Sequence, residues 1–126
     1  MRRFLFLLPL AIAIAGCRPD VLSPRDRLGV SVRLVQNGLL VHNHSVVDIY
    51  YFTIEQHAAA AALWAPCTVP AQCQTIEANS SELVPFDRIA FWTPQARVAL
   101  FYWWLLMPAE NGALKPDSIR TISASR

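Results

Sequence analysis

Nowhere does the sequence stay apolar for the roughly 20 residues that a membrane-spanning helix needs. The run at residues 4–15 is too short and carries Pro9, which weakens an unbroken helix. Charge is also sparse: Asp, Glu, Lys and Arg make up 16% of the chain, and lysine occurs once against ten arginines. No basic patch or charge run is present that would attract nucleic acid or bind a membrane electrostatically. The motifs of nucleophilic catalysis are missing too. There is no Gly-x-Ser-x-Gly elbow and no Ser-x-x-Lys, and Glu55, Glu77, Glu82 and Asp87 form no recognisable acid pair. These absences predict a protein that is not an enzyme, uses no cofactor and does not bind nucleic acid.

What is present starts at the amino terminus. Met1-Arg2-Arg3, the apolar run at 4–15 and a small residue before Cys17 have the layout of a secretory signal. The last four of these residues, Ile14-Ala15-Gly16-Cys17, resemble the lipobox of bacterial lipoprotein precursors, with isoleucine where leucine is commoner. The resemblance implies lipidation of Cys17, cleavage before it and acylation of the new amino terminus. Two or three acyl chains on one residue make a stable anchor, whereas one binds only marginally. Arg18 stands where aspartate resembles an inner-membrane retention signal, which points to the outer membrane. The expected organisation is a signal peptide at 1–16, a lipidated tether at 17–27 rich in Arg, Pro, Asp and Ser, and a domain at 28–126. Arg126 directly follows the last expected strand, so no second module is expected after it.

Removal of residues 1–16 has two consequences. Arg2 and Arg3 leave, so nine Lys and Arg face nine Asp and Glu, and the net charge of the precursor disappears. The remaining 110 residues suffice for one domain with its own core. With Cys17 lipidated, Cys67 and Cys73 are an even pair in an oxidising compartment and are expected to form a disulfide. A loop this small is expected to contribute about 2 kcal/mol. Its five-residue gap does not match the usual spacing of zinc ligands.

From residue 28 the hydrophobic period is two. Val30, Val32 and Leu34 alternate with Ser31, Arg33 and Val35, the pattern of a strand with one buried face. Asn37-Gly38 predicts a hairpin with a type I′ turn, followed by a strand at 39–42 broken by Asn43-His44-Ser45. Residues 46–55 read as a third strand. The alanine-rich stretch at 56–66 is compatible with a short helix or an edge strand. Short strands are expected at 74–78 and 83–92 with a turn at 79–81, then a highly apolar strand at 97–107 and a last one at 119–123. About seven short strands in some 100 residues predict an antiparallel, immunoglobulin-like β-sandwich, with a small barrel as the alternative. The pattern resembles immunoglobulin-like and fibronectin type III-like domains without the cysteine–tryptophan–cysteine spacing of true immunoglobulins.

Two groups of side chains stand out as candidate sites. His42 and His44 share a face of any continuous strand, and with His57 or Asp48 they offer metal ligands. That supports an alternative reading as a metal-binding or metal-dependent periplasmic protein, although the neighbouring Asn43 and Ser45 favour turn histidines. The aromatics Tyr50, Tyr51, Phe52, Trp64, Phe91, Trp92 and the run Phe101-Tyr102-Trp103-Trp104 outnumber what one inner face holds comfortably. They either fill and roof the core or leave an aromatic patch, centred on Tyr50, Phe52, Trp103 and Trp104, that receives an envelope protein or glycan. A regular strand must turn Trp103 and Trp104 to opposite sides.

Overall fold

The computed structural model describes residues 29–126. The signal peptide, Cys17 and the tether read from the sequence lie outside these residues.

The described residues form two antiparallel sheets packed face to face. The first contains β1 (Val30–Val35), β2 (Gly38–Asn43) and β5 (Ser80–Pro85), in the order β1-β2-β5. The second contains β3 (Ile49–Glu55), β4 (Thr75–Ile76), β6 (Val98–Trp104) and β9 (Arg120–Ser125), in the order β4-β3-β6-β9. A small ribbon of β7 (Leu106–Pro108) and β8 (Leu114–Pro116) extends the connection from β6 to β9. The chain crosses between sheets after β2 and again on either side of β5. This makes the described residues an all-β, sandwich-like fold rather than a closed barrel.

The alternation expected along the chain decides what fills the space between the sheets. Leu39, Val41 and Val84 from one sheet meet Ile49, Tyr51, Ile76, Ala99, Phe101, Trp103 and Ala124 from the other. Val30, Val32 and Leu34 pack against this core from the edge, as the period-two reading of β1 requires. Polar atoms drawn into the interior are bonded: Thr53 donates from Oγ1 to the Leu100 carbonyl at 2.9 Å. No buried side-chain nitrogen or oxygen among the described residues lacks a partner, which is the expectation for a native interior.

Several local expectations shift. The first hairpin forms, but Val35 pairs with Gly38, so the turn consists of Gln36 and Asn37. Asn37 does not take the positive φ that a type I′ turn centred on Asn37-Gly38 demands. Gly38 is required for another reason: a Cβ there would fall 2.2 Å from the Val84 carbonyl oxygen on β5. The third strand begins at Ile49 rather than Val46, because buried Asn43 captures the backbone of the preceding loop. Its Nδ2 is shared among the carbonyls of Val47, Ile76 and Glu77 at 2.8–3.1 Å, and its Oδ1 accepts from the Ser45 amide and hydroxyl.

The expected turn at 79–81 contracts to the positive-φ Asn79, and β5 already starts at Ser80. The expected strand at 83–92 stops at Pro85, where the chain turns into the 3-10 segment Phe86–Arg88. Its continuation is an isolated parallel bridge in which Ala90 lies beside β3. Ala90 donates to the Thr53 carbonyl and accepts from the Glu55 amide.

Residues 56–66 resolve into one short helix, α1 (Gln56–Ala59), followed by an irregular path. Glu55 caps α1 by accepting from the Ala58 amide at 2.8 Å and pairing with His57 Nδ1. These contacts, led by backbone hydrogen bonds, hold the Glu55 carboxyl below its ordinary range. From α1 the chain crosses the outer face of the four-stranded sheet before entering β4.

Candidate functional site

β6 runs between β3 and β9, so both of its edges are paired, and its aromatic run is divided between the two faces by strand parity. Trp103 points into the sandwich, is 3% exposed, and has the Arg120 guanidinium 4.5 Å from its ring centroid. Arg120 is itself held by Asp117, whose Oδ2 accepts from Nη2 at 2.8 Å. Burial pushes the Asp117 carboxyl up, but the bonds from Arg120 and from the Leu105 amide outweigh it and leave the group below its ordinary range.

Trp104 faces the opposite way, yet it is just 1% exposed. The cover comes from the chain between α1 and β4. Trp64 stacks on Phe52 at 4.8 Å between ring centroids and lies at 4.8 Å from Tyr102 and 5.9 Å from Trp104. The Trp104 indole donates from Nε1 to the Cys67 carbonyl at 3.0 Å. The expected disulfide is present: Cys67 and Cys73 are bonded, with their Cα atoms 5.5 Å apart. The bridge closes the segment whose first carbonyl receives Trp104, so the covalent loop and the aromatic stack act as one brace.

This corrects the aromatic patch centred on Tyr50, Phe52, Trp103 and Trp104. Trp103 is a core residue, and Trp104 is sealed beneath Trp64 and the disulfide loop. Tyr50 and Phe52 are half-buried on the same covered face. The surplus of rings is absorbed because the chain supplies its own lid, Trp64. Sequence reasoning had no periodicity by which to place that residue, since it follows five consecutive alanines and Leu63.

The histidines divide in the same way. His42 and His44 do share a face: their rings stack 5.4 Å apart and nearly parallel, on the outer side of the three-stranded sheet. His42 Nδ1 is hydrogen-bonded to the hydroxyl of Ser81, its register partner on β5. His57 is at the other end of the sandwich on α1, paired with Glu55. Asp48 is engaged elsewhere, with Oδ1 accepting from the Ala78 amide at 2.9 Å. Neither His57 nor Asp48 joins the pair, and among the described residues no three His, Cys, Asp or Glu side chains converge as metal ligands. The Ser81–His42 pair has two of the three groups needed to activate a nucleophile. Among the described residues no carboxylate is hydrogen-bonded to His42; its ring is placed by Ser81 and by stacking on His44.

Among the described residues the exposed phenylalanine is Phe91, at 70%. Its φ of 60° is costly for a bulky residue. Hydrogen bonds on both sides hold it there. Ala90 is bound to β3, and the Trp92 amide donates to the Ile89 carbonyl. Phe86 and Trp92 stack on each other at 5.1 Å beneath the Arg126 guanidinium, while the ring between them in sequence is turned outward. Phe91 was one of many rings in the sequence; its exposure follows from Ala90 docking on β3, which no local pattern announces. Comparison with protein-family models, curated proteins and solved structures finds no match to this chain.

Proposed function

We propose that this chain is a non-enzymatic lipoprotein of the bacterial envelope, held by lipid on Cys17 at the periplasmic face of the outer membrane. Its β-sandwich would bind or support a protein or glycan partner. The Cys67–Cys73 bridge carries this reading. A disulfide that braces a domain favours an exported, oxidising setting, and it leaves Cys17, the last residue of the lipobox-like Ile14-Ala15-Gly16-Cys17, as the one cysteine outside a bridge. Arg18 favours the outer membrane, and the neutral mature chain needs lipid rather than charge to stay on the surface.

The partner surface we favour is the end of the sandwich that carries Phe91. An exposed ring on a strained, hydrogen-bonded backbone is pre-organised for contact and loses little conformational freedom on binding. Metal-dependent chemistry at His42 and His44 is the weaker reading, because the pair has two imidazoles and no further ligand.

Replacing Cys17 with alanine is expected to abolish incorporation of labelled fatty acid and leave the uncut precursor. Normal processing and labelling of that variant would reject the anchor. A photo-crosslinker at position 91 should yield a discrete adduct in intact envelopes, and one at position 83, exposed on the outer face of β5, should not. Identical adduct patterns at the two positions would reject the Phe91 surface.

A further inference from the structure

One end of the sandwich brings together the start of β1, the loop between β2 and β3, the turn before β5, and the β7–β8 ribbon. Strand direction dictates this, since β2 and β6 run toward that end while β3 and β9 run away from it. Gly29, the first described residue, is fixed there. Its carbonyl accepts from the His44 amide at 2.7 Å, and its φ of 57° with His44 against its Cα face leaves no room for a side chain. Two residues beyond His44 is Val46, 85% exposed, followed by the exposed Val47.

Nothing about this loop is slack. Asn43 Nδ2 donates to the Val47 carbonyl at 2.8 Å, the Val47 amide donates to Ser45 Oγ at 3.4 Å, and the Ser45 carbonyl receives the Asn79 amide. With Ser45 and Val47 both tied down, Val46 is presented at the apex of a rigid turn. Met107, Leu114 and Ile119, at the same end, are also exposed apolar side chains. A solvated valine tip on a fixed backbone, with more apolar side chains beside it, has the character of a surface awaiting an apolar phase.

We propose that this end of the sandwich rests on the lipid surface, with Val46 and Val47 entering the interface. The inference depends on the reading of Cys17 as the lipidated residue. The argument for lipid as the occupant is positional. Residues 18–28 lie between Cys17 and Gly29, a length that reaches at most about 40 Å fully extended. The point where that tether joins the domain is two hydrogen-bonded residues from the apolar tip. Because the tether joins the domain at this end, this end rather than the Phe91 end lies nearest the point of attachment. Interfacial insertion of apolar side chains adds to an acyl anchor in proportion to the area buried.

The test uses the full acylated protein in vesicles of phosphatidylethanolamine and phosphatidylglycerol. A nitroxide is placed at Val46→Cys, at Ile119→Cys or, as the control for the opposite end, at Phe91→Cys. Vesicle flotation reports the anchor, and collision with a water-soluble nickel complex reports the contact. The expected result is that all three variants float and that positions 46 and 119 are several-fold less accessible to nickel than position 91. Flotation with equal accessibility at the three positions would overturn the resting surface while leaving the lipid anchor intact. Failure to float would remove the anchor and this inference with it. Because 46 and 119 belong to separate loops, misfolding of one labelled variant leaves the other to decide.

Discussion

The two sheets present opposite kinds of outer face. On the four-stranded sheet, Phe52, Tyr102 and Trp104 lie under Trp64 and a disulfide-closed loop, and Ile54 on the same face is fully buried. On the three-stranded sheet, Ser31, Arg33, His42, Ser81 and Leu83 remain uncovered or half-covered, and among the described residues no segment crosses above them. Along β3 and β6 the four-stranded sheet is covered on both sides although its strands are antiparallel, a pairing that usually leaves one face wet. The three-stranded sheet keeps the ordinary alternation. An excess of aromatic residues in a small domain thus signals an extra layer supplied by the chain itself as readily as it signals a binding face.

The comparison breaks most visibly at Trp103, which belongs to the interior that both sheets share. Trp103→Ala should cost about 4 kcal/mol, leaving a domain of this size near its unfolding threshold. Chemical denaturation would show the midpoint collapse, and a loss under about 1 kcal/mol would contradict its placement in the core. Trp64→Ala tests the lid alone. A half-buried ring should cost less, about 2 kcal/mol, and it should also increase binding of a hydrophobic dye as Phe52, Tyr102 and Trp104 are uncovered. Unchanged dye binding would mean that the lid is not what keeps that face dry.

The double variant Cys67→Ser with Cys73→Ser should lower stability by about 2 kcal/mol. Because the Cys67 carbonyl receives the Trp104 indole, tryptophan emission should shift to longer wavelength; a silent emission spectrum would uncouple the loop from the stack. His42→Ala on the open face is expected to change stability by no more than about 0.5 kcal/mol. A larger loss would show that the Ser81–His42 contact carries structural weight.

How far the sequence discloses this arrangement depends on the range of the interactions involved. Strand parity is a local property, so the inward placement of Val30, Val32 and Leu34 and the opposed orientations of Trp103 and Trp104 were all legible, as was the disulfide. Hairpin position was legible to within one residue. It slipped because Gly38 answers to the Val84 carbonyl on β5, some 46 residues away, and not to the turn beside it. The late start of β3 has a similar origin in Asn43, whose partners Ile76 and Glu77 are more than thirty residues off.

The burial of Trp104 was not legible for the same reason. Its cover is an irregular segment whose path is set by ring stacking and by the indole-to-Cys67 bond, neither of which leaves a period in the sequence. His42 and His44 fall between these cases. Their shared face follows from spacing, whereas the separation of His57 and the diversion of Asp48 are consequences of topology.

The bridge at Ala90 bears on how copies of this domain coexist. β4 is two residues long, so the outer edge of β3 would otherwise offer a bare stretch of backbone beyond it. Ala90 occupies that stretch by bonding to Thr53 and Glu55, and Tyr51 is met by Gln74. An interrupted edge of this kind gives an incoming strand no continuous ladder to extend. Two hydrogen bonds made by a single alanine thus act as insulation against assembly of copies through that side.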